Sequence, residues 1–153
     1  MRDGDHPLAG ATDRWEQTID DMAVTAADYR EAGYEVLELH PGDVTVRDDG
    51  GFDVLLPDDE FADLEDLVGD AALSKTEVYF ATDGGVAFVL TVVAAPDDGV
   101  AVCCPLYYDL SNVGGVAGRE VITLYARPLA DDRSVAVQFD DPSLFVPRSG
   151  GEE

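Results

Sequence analysis

Two apolar runs, Val86-Ala-Phe-Val-Leu-Thr-Val-Val-Ala-Ala95 and Val100-Ala-Val-Cys-Cys-Pro-Leu106, are separated only by Pro96-Asp-Asp-Gly99. Strands apolar on both faces must lie inside a sheet that is covered on both sides. The Pro/Asp/Gly linker between them has the chemistry that reverses a chain, so the runs read as neighbouring antiparallel strands. The ten-residue run is half of the roughly 20 apolar residues needed to span a bilayer, so no membrane-crossing helix is expected.

The rest of the sequence is arranged around that pair. Further strands are predicted near 76–81, 120–127 and 134–140, with turns at Asp83-Gly-Gly85 and Ala130-Asp-Asp-Arg133. In the last strand Val135, Val137 and Phe139 alternate with Ala136 and Gln138, the pattern of a half-exposed strand. Earlier strands are read at Tyr34–Leu39, Val44–Arg47 and Phe52–Leu56, the last two joined through Asp48-Asp-Gly-Gly51. Trp15, Ile19, Met22, Ala23, Ala26 and Tyr29 recur at helical spacing, which predicts a helix over 13–32 with Asp13 and Glu16 as a capping box and Gly33 at its C′ position. A second helix is predicted over 58–68: Pro57 ends the strand, Asp58 is the N-cap, Asp59 and Glu60 suit the helix dipole, and Phe61, Leu64, Leu67 and Val68 form the apolar stripe. The expected fold is α+β, a mainly antiparallel β-meander with two helices packed on it. Residues 1–11 read as a flexible N-terminal arm, 12–147 as one α+β domain and 148–153 as a C-terminal tail.

Charge is the second constraint. Thirty-three Asp and Glu face nine Arg and Lys, a formal charge of −24, and Lys75 is the single lysine. The acidic residues come as pairs along the whole chain (Asp20-Asp21, Asp48-Asp49, Asp58-Asp59, Asp97-Asp98, Asp131-Asp132, Asp140-Asp141), which describes a uniformly anionic surface. Such a surface repels itself in dilute buffer and is screened at molar salt, so the chain reads as a protein of a salt-rich cytoplasm. Met-Arg-Asp-Gly-Asp-His-Pro7 has no apolar h-region, and no signal peptide is read from it. Arginines without clustering cannot supply phosphate neutralisation, so no nucleic acid is expected as a partner.

The residues that could carry chemistry are few. His40, in His40-Pro-Gly-Asp43, could act as a base oriented by the Asp43 carboxylate; the competing reading is a turn histidine capping backbone groups, favoured because no nucleophile or metal partner accompanies it. Cys103-Cys104 lack zinc-ligand spacing and an electropositive setting, and read as buried thiols. The Asp-Asp-Gly segments are ordinary turns without EF-hand spacing, so no metal and no cofactor is expected. Tyr107 and Tyr108 end a strand with one phenol on each face, and Arg119 and Arg127 flank the next; together they could hold an anionic ligand, although neutralising nearby aspartates is the plainer role.

Several segments resemble a group of small uncharacterised haloarchaeal proteins. They are Trp15-Glu-Gln-Thr-Ile-Asp-Asp-Met22, Gly33-Tyr-Glu-Val-Leu-Glu-Leu-His-Pro-Gly-Asp-Val44, Leu56-Pro-Asp-Asp-Glu-Phe61, Tyr107-Tyr-Asp-Leu110, Arg127-Pro-Leu129 and Asp141-Pro-Ser-Leu-Phe145, spanning about residues 13–147. The resemblance implies a halophilic origin and no particular activity. It also implies a more helical connection at 111–118 than the glycine-rich sequence there suggests. The function expected is a non-enzymatic protein-interaction or regulatory module, using an exposed sheet edge or a helix–sheet groove, with an unidentified protein or a second copy as partner. The alternative is a small-molecule module or enzyme with a pocket near Tyr107, Arg119 and Arg127.

Overall fold

The computed structural model describes residues 12–47, 51–68, 73–112, 121–130, 132–139 and 142–145. Its elements are α1 (Thr12–Glu31), β1 (Glu35–Glu38), β2 (Asp43–Val46), β3 (Phe52–Leu56), α2 (Asp58–Val68), β4 (Lys75–Asp83), β5 (Val86–Ala95), β6 (Val100–Asp109), β7 (Ile122–Pro128) and β8 (Val135–Phe139). Two 3-10 turns follow β6 and β8, at Leu110–Asn112 and Pro142–Phe145.

The fold is α+β, but the expected meander is replaced by two mixed four-stranded sheets, ordered β1-β6-β5-β4 and β2-β3-β7-β8. Only β4, β5 and β6 form a consecutive antiparallel run. Strand β1 pairs parallel with β6, and β3 pairs parallel with β7. The correction has a simple cause. Turn chemistry acts locally and encodes hairpins such as β4–β5, where Gly84 and Gly85 take φ of 61° and 85° in a two-residue loop that L side chains would strain. Nothing local encodes a parallel pairing between strands some 65 residues apart, such as Glu35 with Val100.

The two apolar faces of β5 and β6 are covered by different partners. On one face Leu90, Val92 and Cys103 pack under Met22 and Ala26 of α1. On the other, Ala87, Val89, Val93, Val102, Cys104 and Leu106 meet Phe52, Val54, Leu124 and Phe139 of the second sheet. Helix α2 does not lie on a sheet face as expected. It sends Phe61 and Leu64 into the core between the sheets, beside β7 and β1.

Helix α1 includes Thr12, so Asp13 lies in its first turn rather than at the cap. Its C-terminus is the predicted glycine stop: Gly33 has φ of 98°, its N–H donates to Arg30 O, and the N–H of Tyr34 donates to Tyr29 O at 3.1 Å, the paired bonds of a Schellman motif. The rings of Tyr29 and Tyr34 meet edge to face across this stop at 5.1 Å, and Trp15 and Tyr107 make a similar contact at 5.0 Å at the other end of the helix's contact with the sheet. Arg30 then ties the helix to β1 through Glu38 (2.9 Å) and Val36 O (3.0 Å).

Candidate functional site

His40 is the second residue beyond β1, just after buried Leu39, and its partner is Glu60 from the first turn of α2. One carboxylate oxygen of Glu60 accepts the His40 backbone N–H at 2.6 Å, and the other lies 2.7 Å from Nδ1. The imidazole is therefore oriented by an acid, but by Glu60 and not by Asp43. Among the described residues no hydroxyl or thiol is hydrogen-bonded to this ring, and no cluster of three or more His, Cys, Asp or Glu could hold a metal ion.

Tyr107 and Tyr108 point to opposite faces of β6. Tyr107 packs under Trp15 on the α1 side, while Tyr108 is buried between the sheets and donates its hydroxyl to Phe145 O at 2.6 Å. Burial raises both phenols above their ordinary range, with Asp43 adding to the effect at Tyr107. Arg127 lies on the outer face of the second sheet, in register with Leu55, because its neighbours Leu124 and Ala126 point inward. It shares the Asp53 carboxylate with Arg47: Arg127 Nε lies 3.5 Å from Oδ1 and Arg47 Nη1 lies 3.3 Å from Oδ2, with the Arg47 guanidinium over the Tyr125 ring at 4.4 Å. Tyr107 and Arg127 thus occupy different layers of the molecule. Arg119 and most of the 111–118 connection lie outside the described residues.

A groove that exposes apolar side chains lies elsewhere, between α1 and β4. Helix α1 packs mainly across β1, β6 and β5 and reaches β4, the edge of its sheet, through Arg14 and Tyr29 near its two ends. The resulting groove has a volume of about 310 Å³ and is lined by Arg14, Asp21, Val24, Tyr79, Phe88 and Leu90 among others. Val24 is 63% exposed and Tyr79 51% exposed, unusually open for apolar side chains that face one another across a groove. At one end Glu77 Oε1 accepts both phenols, Tyr29 at 2.8 Å and Tyr79 at 3.2 Å, and burial together with this carboxylate raises both above the ordinary tyrosine range. At the other end Arg14 approaches Asp83 at 3.8 Å.

A family of unknown function, DUF7529, matches residues 5–147 of the chain. The chain belongs to that family. No curated protein and no solved structure matches it. Membership in DUF7529 therefore adds no reaction or ligand, and the functional reading rests on the geometry.

Two features of this DUF7529 member were not readable from spacing. The groove is not legible from spacing, because Val24 sits on the polar side of the α1 pattern and Tyr79 on what reads as a regular strand, and it depends on where α1 crosses its sheet. Asp58 was read as the N-cap of α2, yet the first helical bond, from the Phe61 N–H, goes to Pro57 O. Asp58 lies inside the helix, and its Oδ1 accepts the N–H groups of Leu129 (2.8 Å) and Ala130 (3.0 Å), clamping the β7–β8 loop. Asp58→Ala is expected to cost about 0.5–1.5 kcal/mol, the net worth of hydrogen bonds at an exposed site. Urea unfolding in molar KCl measures it, and a loss no larger than that of Asp59→Ala would show the clamp to be inert.

The adjacent thiols divide between the layers. Cys103 faces α1 and Cys104 faces the second sheet, and both are buried and free. Burial is the main cause that pushes the Cys103 thiol up to about 11 and raises Cys104 as well, so both stay protonated near neutrality.

Proposed function

We propose that this chain is a non-enzymatic protein-interaction module of a salt-rich cytoplasm that captures an extended strand at β4. The observation that carries the reading is the place of β4 at the edge of its sheet, with no described strand paired on its outer side. Strand β4 is nine residues long, pairs without interruption with β5, and contains no proline or bulge. Among the described residues no backbone hydrogen bond reaches it from its outer side. Edges of this length and regularity are usually blunted, because a row of unpaired N–H and C=O groups recruits another strand. Here the edge runs beside an apolar groove, so an added strand gains backbone bonds from the edge and side-chain burial from the groove, the two ingredients of strand addition. The other three sheet edges, β1, β2 and β8, are four or five residues long and offer less. The acidic surface supports the salt-rich setting, since among the described pairs both members of Asp20-Asp21, Asp58-Asp59 and Asp97-Asp98 are exposed.

The test is affinity capture by the full chain in molar KCl, with wild type beside Tyr79→Lys, a charge placed at the middle of the edge. Wild type is expected to retain a partner that the variant releases, with the β4 amides protected from hydrogen exchange in the complex. Equal retention by both proteins, or a complex in which β4 amides exchange freely, would overturn the reading.

A further inference from the structure

We propose that the strand captured at β4 is β4 of a second copy, forming a two-fold dimer in which the two α1-covered sheets join into one eight-stranded sheet. This rests on the strand-addition reading above and specifies its partner. The sequence of β4, Lys75-Thr-Glu-Val-Tyr-Phe-Ala-Thr-Asp83, is close to self-complementary when run antiparallel to itself. With Tyr79 opposite Tyr79 of the second copy, Thr76 faces Thr82, Glu77 faces Ala81, Val78 faces Phe80, and Lys75 faces Asp83. Each of these pairs is a favourable or neutral cross-strand neighbour, and opposite charges meet at both ends.

The alternative registers are worse. Sliding by two residues one way sets Glu77 opposite Asp83, two carboxylates directly across the ladder; sliding the other way leaves Lys75 opposite Ala81 and Asp83 opposite Leu73. Sliding by one residue pairs the α1-facing positions with those facing the second sheet, so the two layers no longer align. The Tyr79-centred register keeps both helices on one face.

Lys75 is the decisive residue. It is the single lysine in a chain with thirty-three carboxylates, yet among the described residues no carboxylate lies within ion-pair distance of it. Its ammonium rests over the Tyr29 ring at 5.5 Å, at the end of the edge strand. Asp83, at the other end, has among the described residues the 3.8 Å approach of Arg14 as its single ion pair. The two-fold brings Lys75 of each copy, which has no ion-pair partner among the described residues, to Asp83 of the other. It also sets the two Tyr79 rings side by side at the mouths of the grooves, covering the apolar surface that α1 leaves open. Long-range repulsion between two chains of charge −24 opposes association, so the dimer tightens as salt screens it, even though salt weakens the terminal ion pairs.

The test is sedimentation of the purified full chain in molar KCl, from micromolar to millimolar concentration. A dimer is expected whose dissociation constant falls as KCl rises. Lys75→Asp alone and Asp83→Lys alone each set like charges across the two-fold and are expected to weaken it by about tenfold or more, while the double swap restores it. Circular dichroism confirms that each variant is folded; both positions are exposed, and rescue by the double swap is an outcome that misfolding cannot produce. A dimer that ignores the swaps, or is not rescued, overturns the inference. So does a monomer at all concentrations: if Tyr79-dependent capture of another protein persists, strand addition stands and only the self-pairing fails, whereas loss of that capture as well overturns both.

Discussion

Moving the folded protein from molar KCl to about 50 mM salt is expected to unfold it, because the screening length grows from about 3 Å to more than 10 Å. At the shorter length a carboxylate interacts with its immediate neighbours alone; at the longer one it feels every acidic group on its element. Helix α2 shows the scale of the problem, with Asp58, Asp59, Glu60, Asp63, Glu65 and Asp66 in eleven residues and no basic residue in its last turn. The cations cannot offset this. Arg14, Arg30, Arg47, Arg127 and Arg133 are each already engaged with a carboxylate, and such exposed pairs contribute about 0–1 kcal/mol apiece. Against a total stability of about 5–15 kcal/mol, unscreened repulsion across a net charge of −24 decides the outcome. A KCl titration followed by circular dichroism checks it, with sucrose in place of salt as the control that raises effective burial without screening charge. Full folding in about 50 mM salt would overturn the salt-rich reading.

The elements were more legible than their arrangement. Both helices, the β4–β5–β6 run and the inward alternation of Val137 and Phe139 follow from periodicity and turn residues, because those signals act over a few residues. The doubly apolar β5 and β6 announced two covers, but not that one would be a second sheet. That outcome depends on β3 finding β7 across the intervening α2, β4, β5 and β6, a choice made by packing and by no local motif. The same limit applies to side-chain partners. For His40 the sequence offers a turn histidine, or a base oriented by Asp43; that the acid beside it is Glu60, 20 residues on, required the placement of α2. Lys75 is legible as the single lysine; that no carboxylate lies within ion-pair distance of it among the described residues is not.

Phe145→Ala is expected to cost about 3–5 kcal/mol, the range for emptying a fully buried aromatic site. Phe145 sits in the 3-10 turn Pro142–Phe145, where it is fully buried. Its ring lies 5.4 Å from Phe52 and 5.2 Å from Phe139, and its carbonyl accepts the Tyr108 hydroxyl. One residue thus joins β3 and β8 of the second sheet to β6 of the first. Leu144 beside it is 37% exposed, so Leu144→Ala should cost less than about 1 kcal/mol and serves as the reference for any general damage to the turn. Tyr108→Phe removes the hydroxyl and leaves the Phe145 carbonyl without its donor, a loss of about 1–3 kcal/mol. The hydrogen bond to the main-chain carbonyl survives Phe145→Ala, so the double variant should lose close to the sum unless the turn itself shifts. Urea unfolding in molar KCl measures all four proteins, and equal losses for Phe145→Ala and Leu144→Ala would show that the turn is not a plug. The turn also packs against β4. Removing the ring should therefore loosen the edge strand before the protein unfolds globally, so hydrogen exchange at β4 should quicken more than at β5. Strand capture would then weaken in a variant that touches no edge residue.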